Sequence, residues 1–183
     1  HAYRYFPLQV MDKELVDYLS GAIKGGKAKG ADLLWYGEFR DFPYEKGEGI
    51  FQVAVPLEQA TYEFFPGWQP LTDLQIDLLF QNASLDMRSR STKLGKASSD
   101  SVHAWIPDLA PGGHLYVDAQ VQGEGKAISD YLQDSPLGSS VGQALEEIEV
   151  RGPLKGALKL DIPLDGESEV KASGDATFSN NKV

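Results

Sequence analysis

Asp73-Leu74-Gln75-Ile76-Asp77-Leu78-Leu79-Phe80-Gln81, residues 73–81, decides the fold. Leu74, Ile76, Leu78 and Phe80 occupy alternate positions. Asp73, Gln75, Asp77 and Gln81 lie between them, with Leu79 as the exception. A period of two belongs to a strand with one face buried and the other in water. A slip of one residue would turn the whole apolar set outward, so burial of that face fixes the register. Asn82-Ala83 turns the chain, and Leu85 and Met87 begin the return strand.

The same period recurs on both sides. Downstream, Val102, Ala104 and Ile106 alternate, then Leu115, Val117, Ala119 and Val121 against His114, Tyr116, Asp118 and Gln120. Upstream, Ala31, Leu33, Trp35, Gly37 and Phe39 alternate, followed by Phe51, Val53, Val55 and Leu57, with a kink or bulge predicted at Pro56. Near the end, Ile148 and Val150, then Leu158, Leu160 and Ile162, and finally Val170, Ala172 and Ala176 repeat the pattern. Helical spacing is confined to two places. Leu15, Leu19, Ala22 and Ile23 predict a helix over 11–24, capped by Asp12 and stopped at Gly25-Gly26. Ile128, Tyr131 and Leu132 open a helical interlude over 126–146. The resulting plan is a single β-rich segment, 1–183, with antiparallel strands over 27–122 and again over 147–183.

Composition narrows the function. In 183 residues, 17 Lys+Arg face 27 Asp+Glu, a net charge of −10, so nucleic acid is not an expected partner. With no cysteine, disulfides, thiolate metal sites and thiol catalysis are excluded. No run approaches the roughly 18 apolar residues of a membrane span. The start at His1-Ala2-Tyr3, without Met or a signal-like stretch, suggests a segment of a longer protein whose anchor and targeting signals lie elsewhere.

Candidate chemistry is sparse. The histidines are His1, His103 and His114, and no Gly-x-Ser-x-Gly elbow accompanies them, so no catalytic set and no enzyme is expected. His103 and His114 flank Pro111-Gly112-Gly113 and could meet across a hairpin. A metal there would need a third ligand, for which Asp108 is nearest, and two solvent-facing histidines are the simpler reading. Lys24-Gly25-Gly26-Lys27-Ala28-Lys29-Gly30 follows a helix and lacks phosphate-loop spacing, so it reads as a solvated basic loop. No cofactor or metal is expected.

About nine amphipathic strands and so few helices pose a physical problem. A twelve-residue helix is ~18 Å long and covers only part of a sheet whose strands lie ~4.8 Å apart. The sheet must close as a barrel or sandwich, or curl around an apolar ligand. Trp35, Trp68 and Trp105 add a third option, a carbohydrate-binding surface, and a structural or adaptor module is a fourth.

An ordered set of stretches carries a resemblance. They are Tyr5 to Met11, Leu15 to Gly26, Asp41-Phe42-Pro43-Tyr44, Gly49 to Val53, Pro66-Gly67-Trp68 and Leu94-Gly95-Lys96. Ile106-Pro107-Asp108, Gly123-Glu124-Gly125-Lys126, Ser135-Pro136-Leu137 and Leu160 to Gly166 complete it. Together they span nearly the whole chain, which resembles a segment of the AsmA-like family in its YhdP branch of large Gram-negative envelope proteins. The resemblance implies a bridge-like lipid transport protein with an inner-membrane anchor outside this segment. It also implies a periplasmic, curled antiparallel sheet whose apolar trough passes phospholipid between inner and outer membranes. Phospholipid, neighbouring segments of the same chain and, through the anchor, the inner membrane are the partners it implies. The expected lining is Leu74, Ile76, Leu78, Phe80, Leu85, Met87, Val102, Ala104, Ile106, Leu115, Val117, Val121, Leu158, Leu160 and Ile162.

Overall fold

The alternating segment 73–81 forms most of a long strand that ends at Gln81, and its neighbours build outward from it by hairpins. The computed structural model describes residues 20–63, 68–110, 112–135, 138, 152–165 and 168–178. Its strands are β1 (Ile23–Ala28), β2 (Asp32–Tyr36), β3 (Ile50–Tyr62), β4 (Leu71–Gln81), β5 (Ser84–Leu94), β6 (Ala97–Ile106), β7 (His114–Glu124), β8 (Pro153–Pro163) and β9 (Lys171–Phe178). One helix, α1 (Gly125–Gln133), follows β7, and Phe39–Asp41 forms a 3-10 turn. All strands join one antiparallel sheet in the order β1-β3-β4-β5-β6-β7-β8-β9, with β2 also paired to β3 beside β1. The two ends of that order do not pair with each other, so the sheet is open and not a closed barrel.

Tight turns set the register. Two-residue hairpin loops need left-handed backbone, which Asn82 (φ 50°) and Gly95 (φ 59°) supply. Asn82 also ties its turn to β3, donating its N–H to the Phe51 carbonyl at 2.8 Å and accepting the Phe51 N–H on Oδ1 at 2.9 Å. From these turns Phe80 falls opposite Leu85, and Leu94 opposite Ala97.

Irregularities cross the sheet in a line. Register shifts fall between Leu57 and Ala60 in β3, Thr72 and Gln75 in β4, and Ser99 and Ser101 in β6. Gln59 and Asp73 each adopt φ 52°, an unusual conformation for a side-chain-bearing residue. Bulges bend strands and increase twist, so an aligned series creases the sheet. On the apolar side of the crease sit buried hydroxyls. Ser89 donates to the Ser91 carbonyl and Ser99 to the Ser101 carbonyl, both at 3.0 Å. Thr92 donates to the Thr72 carbonyl at 3.3 Å. These bonds supply partners to carbonyls where the ladder is disturbed, as buried backbone groups require. The buried side chains of β3 to β8 and α1 form a single core cluster, which places the apolar face on the inside of the bend.

Several local expectations change. Residues 20–22 are helical, but Ile23 already begins β1, so Gly25-Gly26 lies within a strand. The basic stretch is therefore edge strand, with Lys24 and Lys29 paired to Glu63 and Glu58 at 3.0 and 2.7 Å. Pairing with β3 outweighed the helix-stop signal of the glycines. Residues 11–19 lie outside the described residues. β3 runs through Pro56, which falls where β2 has ended and β1 has not begun, so that flank has no ladder to interrupt. The irregularity comes three residues later, at Gln59. Phe39 leaves the strand pattern for the 3-10 turn. The second helix ends at Gln133, and most of 136–151 lies outside the described residues.

Gln59 offers a test of the crease. Gln59→Gly removes the penalty of left-handed backbone, while Gln59→Val adds a β-branch to it. Gly is expected to hold or raise stability by up to about 1 kcal/mol, and Val to lower it by about 1–2 kcal/mol. Urea unfolding midpoints measure both. A valine variant as stable as the parent would show that the bulge is not strained.

Candidate functional site

Cross-strand register turns alternating residues into rows that run perpendicular to the strands. One row is Val53, Phe80, Leu85 and Ile106, and the pair Leu115 and Ile162 extends it. The next is Val55, Leu78, Met87, Ala104, Val117, Leu160 and Ala172. A third is Leu57, Ile76, Ser89, Val102, Ala119, Leu158 and Gly174. Every residue expected to line a trough lies on this one face.

The face is not equally accessible along its length. Phe80 and Leu85 are 1% exposed, and Ile106, Leu115 and Ile162 are 0%, so the first row is packed shut. Hydrogen bonds between loops hold this end. Leu109 N–H donates to the Ala83 carbonyl at 2.8 Å, and Leu164 N–H to the Gly113 carbonyl at 3.0 Å. Towards β8 and β9 the packing loosens, and Val121 and Leu158 border open space.

That space is an apolar cavity of about 530 Å³ between α1 and strands β7 to β9. Its volume lies in the range of roughly 300–1,000 Å³ usual for small-ligand sites. Ile128, Tyr131 and Leu132 of α1 form one wall. The helix is amphipathic, with these three side chains buried and Lys126 outside, bonded to Asp130 at 2.7 Å. It is tied to the chain leading into β4. The Tyr131 hydroxyl donates to the Gln69 carbonyl at 3.0 Å, and Gln69 Nε2 donates to Asp134 Oδ2 at 2.8 Å. Burial raises the pKa of the Tyr131 phenol well above the ordinary tyrosine range, so it remains a neutral donor. Small residues hollow the opposite wall. A Cβ at Gly174 would meet the Ala157 carbonyl oxygen at 2.5 Å, and one at Gly156 the Asp175 carbonyl oxygen at 2.7 Å. Neither site accepts a side chain. Of the expected lining residues, only Val121 and Leu158 border this cavity. The α1 side chains and the β8–β9 glycines and alanines were missed, although glycine inside a strand pattern does signal close backbone approach.

The convex face is polar and cross-linked by ion pairs. Lys93 meets Asp73 at 2.6 Å, Arg90 meets Asp77 at 3.1 Å, and Arg88 meets Asp86 at 2.8 Å. His103 and His114 lie here, but not together. Each has its own carboxylate, Asp86 at 2.6 Å and Asp161 at 2.5 Å. Trp105 and Tyr116 stand between them in a stack with centroid spacings of 4.6, 5.5 and 6.0 Å. Asp108 instead caps the Ala110 N–H at 2.9 Å. No group of His, Cys, Asp or Glu suited to a metal occurs among the described residues. The stack also weakens the sugar-binding option, because Trp105 ring faces are taken by His103 and Tyr116, and Trp68 is 4% exposed.

One edge is apolar and exposed. Leu33 and Trp35 continue the apolar face beyond Val53 and Phe51, yet are 64% and 41% exposed. Trp35 stacks on Phe39 at 5.2 Å and donates its Nε1–H to the Tyr44 hydroxyl at 2.8 Å. Among the described helices none is long and apolar enough to cross a membrane.

The architecture defines a class: an open, amphipathic antiparallel sheet whose inner face is continuous, apolar and partly hollow. The family model described as "YhdP protein" matches residues 1–183, and the chain belongs to that family. It is 44% identical over 182 residues to the intermembrane phospholipid transporter YhdP of Escherichia coli (strain K12). The match covers 100% of this chain and 14% of that protein, so the chain spans about one seventh of its relative. No solved structure matches the chain.

The convex carboxylates predict an acid limit to stability. Burial raises the Asp86 pKa, but hydrogen bonds and positive charge from His103 and Arg88 outweigh it and hold it below its ordinary value of 3.8. The depressed folded value gives stability that is complete above the unfolded value of 3.8 and is lost as pH falls from there through the folded value, because the unfolded chain takes up the proton first. Asp86→Asn is expected to flatten this part of the pH dependence. Urea midpoints between pH 6 and 3 measure it, and identical slopes in parent and variant would contradict it.

Proposed function

We propose that this segment carries phospholipid acyl chains on its inner apolar face, as part of phospholipid transport between inner and outer membranes. The observation that supports it best is the set of apolar rows in register from β3 to β8, ending in a cavity that the described side chains leave unfilled. The name of the Escherichia coli relative, an intermembrane phospholipid transporter, supports the same reading. In this reading the segment is periplasmic. It adjoins further segments of the same chain and reaches the inner membrane through an anchor outside residues 1–183.

The mechanism is partition followed by sliding. Each methylene leaving water for the apolar face gains about 0.8 kcal/mol. Leu, Ile, Val and Ala side chains offer no directional contacts, so neighbouring positions differ little in energy and a chain is not trapped at any one. The head group stays outside, where water solvates its charge. Leu74, Ile76, Leu78, Phe80, Leu85, Met87, Val102, Ala104, Ile106, Leu115, Val117, Leu160 and Ile162 then form the close-packed floor, and Val121 and Leu158 the accessible part. A second reading, an envelope adaptor, draws on the exposed β2 edge, where Leu33, Leu34 and Tyr36 offer a surface to another protein.

Photo-reactive residues at Leu158 and Ala176, on the inner face, are expected to capture phospholipid in cells. The same residues at Lys159 and Thr177, one position along on the convex face, are expected to capture none. Equal labelling of both faces, or no lipid at the inner positions, overturns the proposal. Protein adducts concentrated at Leu33 and Tyr36 with no lipid anywhere would favour the adaptor.

A further inference from the structure

The cavity beside α1 differs from the rest of the inner face in being walled on two sides. We infer that it is a compartment for one linear hydrocarbon chain, which holds a single tail of a lipid while the remainder of the molecule stays outside. The inference rests on the reading of the inner face as an acyl-chain surface, and it adds a number of chains and a maximum length.

Three observations carry it. The first is volume. A methylene occupies about as much space as a water molecule, roughly 30 Å³, so about 530 Å³ holds about 18 carbons. That is room for about one long acyl chain. The second is chemistry. The cavity is lined by Leu94, Val121, Ile128, Leu132, Leu154 and Leu158, with glycines and alanines of β8 and β9. The Tyr131 hydroxyl is already engaged with the Gln69 carbonyl at 3.0 Å. Among the described residues, Asp175 is the only charged one at its border, and it is exposed on β9. A phosphate-bearing head group gains nothing inside and would be repelled at that border. The third is the origin of the space. Gly156 and Gly174 cannot be replaced without striking backbone oxygens at 2.7 and 2.5 Å. The hollow is therefore built into the β8–β9 pairing, and no side-chain rearrangement of those two positions can fill it. Cavities lined by apolar side chains accept hydrocarbon readily.

A chain-length series tests it. Lysophosphatidylcholines of 10 to 22 carbons, one tail each, are titrated against the 183-residue protein. Affinity is expected to rise about fourfold for each added methylene and to level off near 18 carbons. Native mass spectrometry is expected to find one lysolipid per protein. Ala172→Phe on β9 and Val170→Trp beside it reduce the space from two directions and are expected to move the plateau to shorter chains. Thr177→Phe, on the convex face of β9, is expected to leave it unchanged and controls for folding. Affinity that climbs through 22 carbons, two or more lysolipids at saturation, or plateaus unmoved by both filling variants overturns the single-chain compartment while leaving acyl-chain binding intact. Absence of binding at every length, together with no lipid captured at Leu158 and Ala176, overturns the underlying reading as well.

Discussion

The architecture depends on a backbone constraint: a sheet with one apolar face cannot stay flat in water, and bending it disturbs the hydrogen-bond ladder. Left-handed Gln59 and Asp73 absorb the bend in β3 and β4. Ser89, Thr92 and Ser99 place hydroxyls on the apolar side, where they donate to carbonyls near the disturbed pairs. Without those donors, each buried carbonyl left unpaired would cost about 1–3 kcal/mol. Three small polar side chains in an otherwise apolar face are thus a condition for that face to exist.

Closure at one end and hollowness at the other follow from side-chain size. The packed end brings together Phe80, Leu85, Ile106, Leu115 and Ile162, large residues in direct register. The hollow end sets Gly156, Gly174 and Ala176 against an amphipathic helix that stops short of them. Both ends obey the same rule that apolar faces pack where side chains can meet. The difference is written in residue volume and not in hydrophobicity.

Much of this was legible in the sequence, for a clear reason. Strands such as 73–81 and 114–121 are amphipathic with period two, and that pattern reports burial directly. The face assigned to every residue expected to line the trough follows from it. What stayed hidden depends on partners distant in sequence. Gln59 has no local signature of left-handed backbone, so the bulge was placed at Pro56, the nearest residue with a conformational reputation. Lys24 to Gly26 read as a helix stop because edge pairing to Thr61 and Glu58 is invisible locally. Trp68 looked like part of a sugar-binding surface and is buried. The cavity could not be foreseen, because a void is a property of the gap between α1 and β9, and neither segment alone records it.

From β3 to β9, strands that are consecutive in sequence are also neighbours in the sheet. Such a meander closes most of its contacts over short stretches of chain, which lowers the entropy lost before pairing is rewarded. Each hairpin can therefore dock on the one made just before it, and the sheet can grow from one edge in the order of synthesis. Its length is additive: another pair of strands extends the apolar rows by about 10 Å and leaves the register of the earlier ones untouched.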